Sequence, residues 1–170
     1  MTYILDTNII LDSVENLLTL SDNGTNTLVI PETVIDELDS KKVGFEDINF
    51  NARQFARLLE DSVILENKVV APLHIIKTSV ESLGINLLII SKKDYECDLQ
   101  TTAPNILNDR KILEAASDYI NKVEPATLIS LDIMFRTRAM SLGLAAEALT
   151  GKSSEQPNEF HKYLKVDNVT

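Results

Sequence analysis

Four carboxylates in this 170-residue chain stand where the ends of secondary-structure elements would bring them together. They are Asp6, Glu37, Asp109 and Asp132. Carboxylates that meet repel one another, and a divalent cation among them would offset that repulsion. No His or Cys belongs to the set, and oxygen-only ligands favour Mg²⁺ or Mn²⁺ over Zn²⁺. The chemistry that this pattern indicates is that of a divalent metal site.

Each acid by itself also has an ordinary structural explanation. Asp109 could interact with a helix N-terminal dipole, and Asp132 could cap the helix that follows it. Asp6 could form a turn with Asn8, while most helical acids like Glu37 are simply solvated. The joint placement of the four acids, and no single one of them, is what predicts a metal site.

The elements that must position these acids are apolar runs alternating with helical patterns. Residues 3–5, 27–30 and 127–131 are buried-strand runs, and Asp6 and Asp132 directly follow the first and the last. A helix is predicted from Glu32 to about Asp39, and another from Asp109 with Asn108 as its cap. This alternation predicts an α/β fold with a mostly parallel sheet and helices on both faces. The carboxyl ends of parallel strands share one edge, where ligands bind at the topological switch point.

The rest of the chain is less regular. Short strand-like runs between residues 63 and 104 include 69–70, 74–76 and 87–90, and some of them could pair as a hairpin. Residues 151–170 are polar and have little periodicity, so we expect one domain over 1–150 and a polar tail or linker after it.

Composition excludes several classes of protein. Twenty-six acids against sixteen bases give a net charge of −10, which argues against a broad basic face for duplex DNA. Cys97 is the only cysteine, so no intrachain disulfide can form, and His74 and His161 are too far apart in sequence for a zinc motif. No apolar run reaches about 18 residues, so we expect a cytoplasmic protein without a membrane partner.

Four motifs follow one another in a fixed order. They are Asp6-Thr7-Asn8 after a strand, Pro31 and then a helix with Glu37, Asn108-Asp109-Arg110 at a helix start, and Ser130-Leu131-Asp132 after a strand. Together these motifs resemble the PIN domain, a metal-dependent nuclease fold, over roughly residues 2–150. More narrowly, Asn51-Ala52-Arg53-Gln54 and the segment from Leu142 to Glu147 resemble the PIN domains of PhoH-type proteins.

The resemblance implies a three-layer α/β/α sandwich around a sheet of about five strands. It implies that Asp6, Glu37, Asp109 and Asp132 are catalytic residues and ligands of Mg²⁺ or Mn²⁺. Asn8 and Ser130 would support the ligands or position water. The implied activity is phosphodiester hydrolysis of nucleic acid by a ribonuclease, with endonucleolytic cleavage of single-stranded RNA favoured. Leu131 departs from the family pattern, in which a charged residue is usual, and the PhoH-type ATPase has no counterpart in these residues.

Five arginines could contact a nucleic-acid backbone near the acids. They are Arg53, Arg57, Arg110, Arg136 and Arg138. Arg53 and Arg57 could instead pair with the local acids Glu60 and Asp61. Two other functions stay open at this point: a catalytically silent PIN-like binding or assembly module, and a toxin-type ribonuclease controlled by a partner protein. A homo-oligomer and a regulatory partner are also compatible with the sequence.

Overall fold

The computed structural model describes residues 1–99 and 103–149. The strands are β1 (Thr2–Leu5), β2 (Thr27–Pro31), β3 (Val63–Val70), β4 (Leu73–Val80), β5 (Ile85–Lys92), β6 (Thr127–Ile129) and β7 (Ala146–Glu147). The helices are α1 (Thr7–Asp12), α2 (Glu15–Ser21), α3 (Glu32–Ser40), α4 (Asp47–Glu60), α5 (Pro104–Lys122) and α6 (Ile133–Ser141), with a 3₁₀ turn at Glu96–Leu99. The predicted tail over 151–170 lies outside the described residues.

One sheet organises the described part of the chain, in the order β3-β4-β5-β2-β1-β6-β7. The five strands from β5 to β7 are parallel, whereas β4 runs antiparallel to both β5 and β3. The predicted α/β class and mostly parallel sheet are therefore confirmed. The predicted number of about five strands is too low, because β3 and β4 extend the parallel core as consecutive hairpins.

Helices cover both faces of the sheet, as expected. Ile75 and Leu88 face the same side of the sheet as Tyr119 of α5. Ile76 and Ile89, one position further along their strands, face the side of Leu59 in α4. Alternate residues of a strand point to opposite faces, so α4 and α5 form the two outer layers of a three-layer sandwich.

The strand β1 occupies the topological switch point. It pairs with β2 on one side and with β6 on the other, and Leu5 lies opposite Ile129. The chain leaves β1 toward β2 and returns on the opposite side at β6. In open parallel sheets, ligands bind beyond the carboxyl ends of the strands at such a point. Asp6, Ser130 and Asp132 follow these two strand ends directly.

The start of α5 differs from the prediction. The helix begins at Pro104, whereas the sequence pattern suggested Asp109 with Asn108 as its cap. Proline is favoured in the first turn because its missing N–H costs the helix no hydrogen bond there. Asn108 and Asp109 therefore lie in the second turn. No helix among the described residues is long and apolar enough to span a membrane.

Candidate active site

Asp6 is the most enclosed of the four predicted acids. Its side chain is 6% exposed and caps α1, where it accepts a hydrogen bond from the Thr7 N–H at 2.8 Å. The hydroxyl of Ser130 donates a second hydrogen bond to Asp6 Oδ2 at 2.7 Å. These two bonds orient the carboxylate at the end of β1. Thr7 follows β1 and Ser130 follows β6, and the two strands pair with each other in the sheet.

Ser130 links Asp6 to Asp132. Its hydroxyl oxygen accepts the Asp132 N–H at 3.0 Å while the hydroxyl donates to Asp6. Asp132 caps α6 by accepting the Met134 N–H at 2.9 Å, and its side chain is exposed at the rim. The guanidinium of Arg136 donates to the Ser130 carbonyl oxygen at 2.7 Å and stabilises the turn between β6 and α6. The predicted supporting role of Ser130 stays a prediction, and this contact agrees with it.

Glu37 reaches the same edge from α3. Thr7 donates its hydroxyl hydrogen to Glu37 Oε1. The side-chain amide of Asn108 donates to Glu37 Oε2 at 3.2 Å. One carboxylate therefore bridges the start of α1 and the second turn of α5, which brings three helices together at the carboxyl edge of the sheet.

Asp109 completes the set from α5. Arg138 on α6 forms an ion pair with Asp109 Oδ2 at 3.2 Å, and the Asp109 side chain is 29% exposed. Burial and the nearby charge of Asp6 raise the pKa of Asp109 to about 6, with smaller contributions from Glu37 and Asp132. The guanidinium of Arg138 opposes this shift without cancelling it.

The electrostatics of Asp6 follow the same pattern. Burial raises the pKa of Asp6, while the hydrogen bonds from Ser130 and Thr7 oppose the shift. The charges of Glu37 and Asp132 raise it further. The negative charges of the other acids thus disfavour the ionised forms of Asp6 and Asp109, which is the condition that a bound cation would relieve.

The donor chemistry fits a hard divalent cation, since every candidate ligand is a carboxylate oxygen. Among the described residues, however, no three His, Cys, Asp or Glu side chains are already arranged to hold a metal ion. Protein groups hold the carboxylates instead: Ser130 holds Asp6, Thr7 and Asn108 hold Glu37, and Arg138 holds Asp109. Because an ionised carboxylate has about four acceptor sites, these contacts leave capacity for a cation, and metal binding requires the side chains to draw closer together.

The other residues of the prediction lie in varied places. Asn8 is exposed on α1, and its side chain makes no hydrogen bond with another described residue. Arg53 donates to the carbonyl oxygens of Lys42 and Gly44, so it holds the loop before α4. Arg57 contacts Gln54, and Arg110 is exposed. The described partners of Arg53 and Arg57 are thus neither Glu60 nor Asp61.

Two residues of the site escaped the sequence analysis. Thr7 contacts Glu37, although Asn8 of the same motif had been favoured. Asn108 was taken for a helix cap and instead binds Glu37 from inside α5. The only sequence signal for a role of these two residues was that each is adjacent in the chain to a predicted ligand.

Comparison with known proteins identifies the family of the chain. The model of the PIN domain family matches residues 3–150. The chain belongs to the PIN domain family. Members of this family are usually metal-dependent nucleases.

The chain is also similar to two PhoH2 proteins. Protein PhoH2 of Bacillus subtilis is 29% identical over 151 residues, which cover 85% of this chain and 32% of that protein. Protein PhoH2 of Mycolicibacterium smegmatis is 28% identical over 146 residues, covering 86% of this chain and 31% of that protein. The chain thus spans about a third of the length of these relatives. The narrower resemblance to PhoH-type PIN domains is confirmed.

A solved structure shares the fold. It is a domain of a functionally unknown protein from Methanocaldococcus jannaschii, with a TM-score of 0.55 and 18% sequence identity. The alignment covers 89% of this chain and 93% of the other. This likeness bears on the PIN-like architecture alone.

Proposed function

We propose that this PIN domain hydrolyses phosphodiester bonds in single-stranded RNA, as an endoribonuclease that depends on Mg²⁺ or Mn²⁺. The observation that carries the proposal is that Asp6, Glu37 and Asp132 lie near enough to Asp109, at the switch point of the sheet, for their charges to raise its pKa. Their mutual repulsion contributes to the raised pKa of both Asp6 and Asp109. Titratable groups whose pKa is displaced at a ligand-binding edge are typical of functional sites.

Asp6, Glu37, Asp109 and Asp132 would hold the cation. A divalent ion held there would supply Lewis-acid polarisation of a phosphate and would lower the pKa of water. Ser130 keeps the Asp6 carboxylate oriented, and Thr7 and Asn108 do the same for Glu37. The protein's own contribution is therefore to place carboxylate oxygens from far-apart segments before the substrate arrives.

Arg138 has two roles in this proposal. In the structure it compensates part of the negative charge by pairing with Asp109. Its side chain is 41% exposed, so the guanidinium can turn from Asp109 toward a phosphate once a cation takes its place. Arginine suits this exchange because the planar fork of its donors matches the geometry of both carboxylate and phosphate.

The surroundings of Asp132 support an unpaired substrate. Leu131, Ile133 and Met134 are exposed by 43%, 57% and 63%. Apolar side chains beside the acids can contact the faces of unstacked bases, whereas paired bases bury those faces in the duplex. The net charge of −10 also disfavours a wide duplex footprint.

The test is cleavage of internally labelled single-stranded RNA and DNA of one sequence, with Mn²⁺ or with EDTA. We expect Mn²⁺-dependent internal cleavage of the RNA, and a loss of about 100-fold or more in the Asp109→Asn variant. The matched control is Asp118→Asn on the same helix, which removes an acid outside the cluster and should leave cleavage unchanged. Equal cleavage by Asp109→Asn and wild type would overturn the assignment. Preference for DNA would overturn the substrate class and leave the hydrolytic site standing.

One observation favours a second function. Because each of Asp6, Glu37 and Asp109 already has a protein partner, the same surface could act as a binding module without catalysis. In that case RNA would bind and no polymer would be cut at any Mn²⁺ concentration. The cleavage assay combined with a gel-shift assay separates the two functions.

A further inference from the structure

The outermost strand of the sheet, β3, has an unusual surface. Among the described residues it pairs with β4 alone, which leaves its other backbone edge open. Its apolar side chains are nevertheless exposed: Ile64 by 63%, Leu65 by 52% and Val69 by 70%. An open edge with exposed aliphatic residues is a template for pairing with another strand.

The charges of β3 are arranged symmetrically about its middle. Glu66 and Lys68 flank Asn67, and their side chains lie on one face because they are two positions apart. Their charged atoms are 3.8 Å apart within the strand. In an antiparallel pair centred on Asn67, Glu66 of each copy faces Lys68 of the other copy. The strand is therefore complementary to itself in the antiparallel direction.

The exposed apolar residues of β3 flank the charged centre on both sides. Centring the pair on Asn67 places Val69 and Val70 of one copy against the segment of Ile64 and Leu65 in the other. A β-bulge leaves Leu65 without a partner on β4, between Ile64 and Glu66, so the regular ladder of the pair is confined to Glu66, Asn67 and Lys68. The charged pairs set the register, and the aliphatic residues on either side of them lose their exposure to water.

We propose that β3 is a homodimer interface, in which two copies of this chain join antiparallel through their β3 edges about an axis at Asn67. The two seven-stranded sheets then form one continuous sheet. Because β3 runs in the same direction as β1, the strands of the two copies point in opposite directions. The two acidic sites open on opposite edges of the joined sheet and do not obstruct each other.

The test is the oligomeric state of purified protein, measured by sedimentation over a range of concentrations. We expect a monomer–dimer equilibrium that Lys68→Glu weakens about tenfold or more, since glutamates then oppose each other twice across the axis. The double variant Glu66→Lys with Lys68→Glu exchanges the charges and should restore dimerisation. Melting curves of each variant establish that the monomer is folded.

Cross-linking tests the register without altering charge. The chain's only cysteine, Cys97, is buried, so an introduced thiol reports on its own position. Asn67→Cys should form an intermolecular disulfide under mild oxidation, because the axis brings the two copies of this position together. His74→Cys, on the neighbouring strand β4, should not. A monomer at every concentration, a dimer insensitive to Lys68→Glu, or equal cross-linking at both positions would overturn the proposal.

Discussion

Two groups of acids in this molecule differ in the charge that surrounds them. At the end of β5, Lys92 pairs with Glu114 at 2.5 Å and with Asp118 at 2.7 Å, and its side chain is 7% exposed. At the end of β1, Arg138 pairs with Asp109 at 3.2 Å, and Asp6, Glu37 and Asp132 have no ion-pair partner among the described residues. The first group is nearly balanced in charge, whereas the second keeps an excess of negative charge.

The pKa values follow this difference. Burial alone would raise the pKa of Glu114, but hydrogen bonds from Lys92 and from the N–H groups of Glu96 and Cys97 lower it overall. Burial and neighbouring acids raise the pKa of Asp109 to about 6. Acids that the protein itself neutralises stabilise the fold, whereas acids left in excess, with a raised pKa, are typical of functional sites.

The largest expected effect separates the two groups by activity. Asp6→Asn should reduce Mn²⁺-dependent cleavage about 100-fold or more, because it removes a ligand charge that no other residue replaces. Glu114→Gln should leave the cleavage rate per folded molecule within about twofold, because the Glu114 carboxylate binds groups of the fold and lies outside the acidic site. The measurement is the single-turnover cleavage rate of both variants at matched folded concentration. Similar losses in both would show that the two groups do not differ in function.

The next effect separates them by stability. Lys92→Met should lower the free energy of unfolding by about 2 kcal/mol, because two mostly buried carboxylates lose their cation. Lys42→Met is the control, since its ion pair with Asp39 lies on the surface and should contribute less than about 1 kcal/mol. Urea unfolding of wild type, Lys92→Met and Lys42→Met measures these free energies. A loss at Lys92 no greater than at Lys42 would contradict a structural role for the first group.

The positions of several acids of the second group could be predicted from the sequence, because they depend on where strands end. Asp6 and Asp132 follow strand runs, and parallel topology places such positions at one edge whatever the details of packing. Glu37 could be placed near the same edge as well, because its helix starts there. These three acids were therefore located without side-chain information.

The partners of the acids could not be predicted in the same way. Thr7, Asn108 and Arg138 meet their carboxylates through the packing of α1, α5 and α6, which no local pattern encodes. The true start of α5 at Pro104 was missed because Asn108 is also a good cap residue. The strand β3 was hard to recognise because its aliphatic residues surround a charged centre and so lack regular alternation.

A fall in pH should change the contributions of Glu114 and Asp109 to the free energy of unfolding in opposite directions. Glu114 has a lowered pKa, so its stabilising contribution is present above about pH 4.5 and is lost as the pH falls through its folded pKa. Asp109 has a raised pKa, so its destabilising contribution grows from about pH 4 to about pH 6 and is then constant. In EDTA, Asp109→Asn should therefore gain about 1 kcal/mol relative to wild type over that range.

The measurement is chemical unfolding of wild type, Asp109→Asn and Glu114→Gln at several pH values. The destabilisation caused by Glu114→Gln should shrink on acidification below about pH 4.5. Parallel pH profiles for all three proteins would show that neither carboxylate is perturbed by its surroundings.

The smallest effect concerns Arg138. Arg138→Gln should increase the affinity for Mn²⁺ by less than about tenfold, because the arginine competes for Asp109 from a half-exposed position. Arg57→Gln changes the net charge equally at an exposed site that contacts Gln54, and it should leave the affinity unchanged. Identical affinities in both variants would mean that Arg138 does not compete with the metal.

Calorimetric titration of Mn²⁺ into the protein without nucleic acid tests the central claim most directly, with wild type, Asp109→Asn and Asp118→Asn compared side by side. The excess of acids at the end of β1 predicts saturable binding to wild type and Asp118→Asn, and binding at least about tenfold weaker in Asp109→Asn. Equal binding in all three proteins, or no binding to wild type, would contradict a metal site formed by these carboxylates.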